Sequence, residues 1–288
     1  MPRALAILNC GQVVTLQGPD GPRMGASMGQ LGVIPDGAIL AIDGLIRAVG
    51  RRGEVEPQIP DDTIVIDAEG RALLPGFVDA HTHLIFGGNR ADEFAMRAAG
   101  ASYEEIAAAG GGILSTVRQT RTATSETLLE TGRKHLRWMM AGGTTTVEAK
   151  SGYGLSLEDE LRILRLYRQL SDEGPVEIVP TLLAPHAVAP GYEGRAEVYV
   201  SEVAIPALHQ AAAEGLIEFA DAFVEEGYFS EAVLEPYFEE AQRLGIPLRL
   251  HVDQLREAGG AALAARWGAK TADHLEQTGA AGIAALGG

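Results

Sequence analysis

Over the first seventy residues the apolar positions come in short, β-branched runs, "LAILN", "QVVTL", "GAILAIDGLIRAVG" and "DDTIVIDAEG", separated by Gly, Pro and Asp. Runs this short between turn residues predict strands rather than helices. Residues 1–70 therefore read as a small β-rich domain, half of a sandwich, with 18–37 as a long loop. From Leu73 onward the rhythm changes to strand, polar or Gly-rich loop, helix. "LLPGFVDA", "TTTVEAK", "VEIVPTLL", "FADAFVE", "IPLRLHV" and "KTADHL" are the strand candidates. Helical patterns lie between several of them, with Ser125 and Ser156 placed to cap "ETLLETGRKHLRWMMA" and "LEDELRILRLYRQLSD", and Pro236 favouring a late start or a kink in "SEAVLEPYFEEAQRLG". Such alternation predicts parallel strands wrapped by helices.

Polar groups recur at the C-terminal ends of these strands, where the active sites of (β/α)8 barrels collect. The fold class expected is thus α/β, a TIM barrel over 71–288 behind the small N-terminal β domain. It carries about six of the eight strands that a barrel of roughly 250 residues contains.

His81 and His83 stand two apart in "FVDAHTHLIFGGNR", so on a strand they share a face while Thr82 points away. Their backbone separation is about 6.6 Å, and two imidazoles can reach one cation at roughly 2.0–2.1 Å. The same HxH can be a coincidence of a polar strand end. His186, His251 and His274 close three other strands, whereas His135 and His209 fall in helical or loop surroundings. Asp79 lies below His81 on the same face, where it either orients an imidazole or serves as a buried structural acid.

Composition narrows the possibilities. A formal charge of −16 disfavours nucleic acid and anionic membranes as partners. Cys10 is the only cysteine, which excludes an internal disulfide and fits a reducing cytoplasm. No sustained apolar segment suggests a signal peptide or a membrane span, and no HExxH helix, Walker loop or dinucleotide fingerprint is present.

"PGFVDAHTHLIFGGNR", "ASYEEIAAAGGGILSTV", "TTTVEAKSGYGL", "LLAPHAVAP", "HVDQ" and "ADHLE", in that order, resemble the imidazolonepropionase family of the amidohydrolase superfamily. The resemblance implies a mononuclear metal barrel, a composite β-sandwich built from both chain ends, and a cytoplasmic homodimer. It implies hydrolysis of the cyclic amide bond of 4-imidazolone-5-propanoate to N-formimidoyl-L-glutamate, in histidine degradation. Carried onto matching positions, His81, His83 and His251 would bind one Zn2+ or Fe ion per subunit. Arg90, Tyr103, Tyr153 and His186 would contact substrate, and Gln254 and His274 would flank the reacting carbonyl.

Two departures matter. Gln254 stands where many relatives carry glutamate, and a carboxamide cannot take up a proton at neutral pH. The aspartate of an eighth strand, the family's fourth ligand and proton carrier, has no counterpart before residue 288. A chain ending there is expected to be inactive and poorly soluble unless continued. The other readings are a superfamily deaminase or cyclic amidase acting on a neutral ring, for which Arg90 would have no use, and an inactive fragment.

Overall fold

The computed structural model describes residues 4–18, 21–102, 105–106 and 110–287, which divide into two compact units, Met1–Gly76 and Phe77–Gly288.

In the first unit, β1 (Ala4–Val14), β2 (Val33–Ile42), β3 (Leu45–Arg51), β4 (Ile64–Asp67) and β5 (Ala72–Leu73) form one sheet in the order β3-β2-β1-β4, with β5 also on β1. "LAILN" and "QVVTL" prove to be one strand. A register shift between Ile7 and Cys10, with Asn9 at φ 55°, absorbs the interruption as a bulge. Asp43-Gly44, both at positive φ, close the β2–β3 hairpin as a two-residue turn. The stretch expected to be a loop through residue 37 already contains a 3-10 turn at Gly25–Gly29 and the start of β2. Ala6, Leu8, Ala38, Leu40 and Val55 are the buried core of this unit.

Ala72–Leu73 pairs in parallel with β1 through Gln12↔Ala72 and Val13↔Leu73. The run that begins at Leu73 is therefore shared, and the first strand of the second unit opens at Phe77. There β6 (Phe77–Thr82), β7 (Thr144–Lys150), β8 (Glu177–Leu182), β9 (Phe219–Val224), β10 (Leu248–Val252) and β11 (Thr271–His274) form a six-stranded sheet in strict chain order, every pairing parallel. Helices connect the strands, which is the (β/α)-barrel arrangement. The sheet curls far enough for its two outermost strands to touch through side chains, His81 Nδ1 lying 3.1 Å from Asp273 Oδ2.

The helices form where their apolar stripes meet this sheet. Helix Leu157–Glu173 buries Ile163, Leu166, Tyr167 and Leu170, spaced three and four apart. Its cap is Ser156, whose hydroxyl accepts from Asp159 N–H at 3.1 Å. Helix Ser125–Ala141 is capped one residue earlier than its sequence suggested, by Thr124, which accepts from Thr127 N–H at 3.1 Å. Pro236 lies inside helix Glu231–Arg243, which starts at Glu231 rather than after the proline. No helix among the described residues is long and apolar enough to cross a membrane.

Candidate active site

The parallel register sets the site. β10 and β11 pair His251↔Asp273 and Val252↔His274, and the curl of the sheet delivers His81 from β6. Ring centroids of His81 and His251 are 4.6 Å apart, those of His81 and His274 5.2 Å, and those of His251 and His274 5.1 Å. These three residues offer ligand nitrogens within 4.8 Å of one another. His83 stands one ring further off, 6.3 Å from His81, stacked on His186 at 5.0 Å and 4.5 Å from Tyr153. Of the metal ligands implied by resemblance, His81 and His251 are thus in the tight group, and His274 completes it. His274 and Leu275 have φ of 80° and 68°, a left-handed turn that costs non-glycine residues energy and recurs at functional sites. Here it ends β11 at the rim of the cluster.

Nδ1 of His251, His83 and His186 is hydrogen-bonded to an oxygen acceptor, and that of His81 faces a carboxylate oxygen. His251 Nδ1 lies 3.0 Å from Asp221 Oδ1 and His81 Nδ1 3.1 Å from Asp273 Oδ2. His83 Nδ1 lies 3.0 Å from Ser151 O, and His186 Nδ1 2.9 Å from Gly152 O. Carboxylates and carbonyls only accept, so the proton of a neutral ring belongs on Nδ1 and the lone pair on Nε2. His251 Nε2 is buried without a hydrogen-bond partner. A buried lone pair with two further imidazoles within reach, and a carboxylate behind its own ring, suits a borderline divalent cation such as zinc or iron.

Burial pushes the pKa of His83 well below the ordinary histidine value, with His186 and His251 nearby adding to the effect. His186 falls to about 3, chiefly from burial. For His251 burial also lowers the value, partly offset by Asp221. All three are neutral at pH 7, the state in which imidazole can ligate. The acids behave oppositely. Burial alone would raise Asp221 and Asp273, but His251 and Lys150 beside the former, and His81 and Lys150 beside the latter, hold both far below the usual carboxylate range.

A further buried acid shapes the loop after β7. Glu160 is fully buried and accepts from Gly152 N–H at 2.9 Å, Gly154 N–H at 2.8 Å and Leu155 N–H at 2.7 Å. That clamp fixes the turn carrying Tyr153 and the carbonyls of Ser151 and Gly152 that orient His83 and His186. Gly152 has φ 95°, and a Cβ there would come within 2.9 Å of His186 Nδ1 and Leu183 O, so only glycine fits.

His81, His83, His186, His251 and His274 line a cavity of about 230 Å3, together with Arg90, Tyr153 and Gln254. Arg90 reaches it from the start of helix Ala91–Ala98 and donates through Nε to Glu93 Oε2 at 2.7 Å. Gln254 is placed by its backbone N–H, which donates to Glu225 Oε2 at 3.0 Å. Tyr103 lies outside the described residues. Asp253 turns away from the cavity at φ 49° and accepts from Gly260 N–H, Ala261 N–H and the Thr278 hydroxyl, so its role is to cap the next helix. The acid beside His81 is Asp273; the sequence left Asp79 open between orienting an imidazole and serving as a structural acid. Asp221, inside the apolar-looking "FADAFV", carried no sequence signal beyond one acid in a buried strand.

The site and the curled parallel sheet have counterparts among known proteins. The model of the Amidohydrolase family matches residues 64–111, which include HxH and Arg90. A protein named imidazolonepropionase from Solibacter usitatus is 51% identical over 281 residues, covering 98% of this chain and 67% of that protein. The imidazolonepropionase of Symbiobacterium thermophilum is 50% identical over 277 residues, covering 95% of this chain and 65% of its own length. The chain thus spans about two thirds of these curated relatives. Among solved structures, A. niger ochratoxinase superposes with a TM-score of 0.60 at 13% identity, covering 99% of this chain and 63% of that one. The 5-methylcytosine deaminase of Klebsiella pneumoniae does so with 0.60 at 15%, covering 91% and 55%. At those identities they speak for the fold alone, an amidohydrolase-type TIM barrel with an N-terminal β domain. Identity near one half across nearly the whole chain, together with the histidine cluster in that barrel, makes this chain a member of the imidazolonepropionase family of the amidohydrolase superfamily.

Proposed function

We propose that this chain carries the site for hydrolysis of 4-imidazolone-5-propanoate to N-formimidoyl-L-glutamate, using one Zn2+ or Fe ion. The observation that carries the reading is the buried, unpartnered Nε2 of His251 facing His81 and His274 across a cavity that also holds an arginine. His81 and His251 would hold the ion, with His83 beside them. A cation there supplies a water made acidic enough to attack a carbonyl near neutral pH.

The chain's own residues do the rest. Arg90 would pair with the propionate tail through its planar fork, leaving the ring to lie against Tyr153 and His186. Tyr103 would help to line the pocket. His274, at the rim, would stabilise negative charge as it develops on the ring carbonyl oxygen. Gln254 would hydrogen-bond the amide being cleaved; as a carboxamide it orients but does not accept the proton. The reading extends to a cytoplasmic homodimer, as the family resemblance implies.

The test is a hydrolysis assay on zinc-loaded and iron-loaded protein, run on this chain and on a form continued to the length of its curated relatives, following loss of 4-imidazolone-5-propanoate and appearance of N-formimidoyl-L-glutamate. Turnover with either metal supports the reading. Metal-loaded, folded protein that leaves the imidazolone untouched but hydrolyses or deaminates a neutral ring would refute it.

A further inference from the structure

Lys150 is fully buried at the end of β7, and its ammonium touches three carboxylates: Asp221 Oδ2 at 2.7 Å, Asp273 Oδ2 at 2.9 Å and Glu148 Oε1 at 3.0 Å. Two of the ammonium's three N–H groups donate, to Asp221 and Glu148, and Asp273 closes the cage as an ion pair. The backbone is pinned at the same residue, since Tyr167 Oη donates to Lys150 O at 2.7 Å. Arg249, the other cation nearby, stands further back, 3.6 Å from Glu148 Oε1 and 3.9 Å from Asp273 Oδ1.

Two of the three carboxylates face the histidine cluster as well. Asp221 Oδ1 is hydrogen-bonded to His251 Nδ1 at 3.0 Å, and Asp273 Oδ2 faces His81 Nδ1 at 3.1 Å as an ion-pair contact. One ammonium is therefore linked, through one acid each, to two imidazoles that come from strands far apart in the sheet. An acid orients an imidazole only while it is fixed in place, and a buried carboxylate deprived of its cation turns toward other donors or water.

We propose that Lys150 is a positioning residue, holding Asp221 and Asp273 as oriented acceptors so that His251 and His81 both present Nε2 to one point. The ammonium fills the space among these acids, so it also keeps cations out of the cage and leaves the imidazole side as the place for an ion. The purpose of the arrangement rests on the metal reading above, but the ring tautomers do not, and they can be measured without metal.

The experiment uses the whole chain, labelled with 15N in histidine and lysine and stripped of metal. Long-range 1H–15N correlation reads which ring nitrogen carries the proton, and a parallel titration against a chromophoric chelator reads zinc affinity. In the wild type, His81 and His251 should carry hydrogen on Nδ1, and the Lys150 Nζ resonance should be that of a slowly exchanging ammonium. Asp221→Asn should disturb the tautomer of His251 and spare His81, whereas Asp273→Asn should do the reverse. Lys150→Met should disturb both and weaken zinc binding roughly 10–100-fold, the usual cost of removing an outer-sphere partner.

Should Lys150→Met not fold, the wild-type spectrum still decides: hydrogen on Nε2 of either ring, or a neutral Lys150 amine, overturns the proposal. So does a folded Lys150→Met protein with unchanged tautomers and zinc affinity, a result that would leave the metal reading intact. Coupled tautomer changes in a protein that never binds zinc would uphold the role of Lys150 and sink the metal reading instead.

Discussion

Glu160→Gln probes the loop that places half of the pocket. Glu160 Oε1 accepts from Gly154 and Leu155 N–H at 2.8 and 2.7 Å, and Oε2 accepts from Gly152 N–H at 2.9 Å. Glutamine offers a single acceptor oxygen, so whichever way the amide turns, at least one buried backbone N–H must face an NH2 group. Losing a hydrogen bond to a charged acceptor costs about 1.5–3 kcal/mol, and stranding the donor costs about 1–3 kcal/mol. Relief from burying a charge returns part of this. Burial raises the pKa of Glu160 even against the donors that stabilise its ionised form, so that relief is real. The net expectation is a loss of about 2–4 kcal/mol. Urea unfolding followed by circular dichroism reads the stability. The His83 and His186 ring resonances should move with it, because the carbonyls of Ser151 and Gly152 that hold them sit in the clamped turn. A folded variant within about 0.5 kcal/mol of wild type, with both rings unmoved, would refute the idea that Glu160 organises this loop.

Arg90→Lys keeps the charge but loses the bidentate fork, so KM for 4-imidazolone-5-propanoate should rise on the order of 10-fold or more, while an analogue lacking the propionate is little affected; equal changes for both would place Arg90 in the scaffold. The neutral state of His186 makes stability pH-dependent. Its folded pKa of about 3 lies below the ordinary 6.5, so between those values the unfolded chain binds the extra proton and stability falls as pH falls. The contribution is up to about 1.4 kcal/mol per pH unit. Urea midpoints at pH 7 and 5 should therefore converge for His186→Gln relative to wild type, and an unchanged difference would show that His186 is protonated in the fold.

Much of the architecture is legible from local pattern. The six apolar runs after residue 70 become the six parallel strands because short buried strands in a wrapped sheet need β-branched and apolar residues on both faces. His251 and His274 are conspicuous for closing such runs. What sequence could not supply is partnership across the sheet. Lys150 and Asp221 are 71 positions apart and meet only because β7 and β9 flank β8. Glu160 sits in the first turn of a helix, where an acid is expected for the dipole alone, yet its carboxylate turns back into the preceding loop. HxH placed His81 and His83 on one face, but β6 ends at Thr82, and beyond it His83 follows the loop toward Ser151 and His186. The cap at Thr124 in place of Ser125 is a choice between two adjacent hydroxyl residues that local pattern does not resolve.

Imidazoles of His81 and His251 that share one ion, in the cavity they line with Arg90, must lose it when one ring is removed. Elemental analysis of wild type and His251→Ala, both confirmed folded by circular dichroism, reads this. One zinc or iron per chain is expected in the wild type. In His251→Ala the affinity should fall by more than the roughly 10–100-fold typical of outer-sphere changes, leaving metal well below stoichiometric after dialysis against a mild chelator. Stoichiometric metal retained by His251→Ala, or none bound by the wild type in excess zinc and iron, would contradict it.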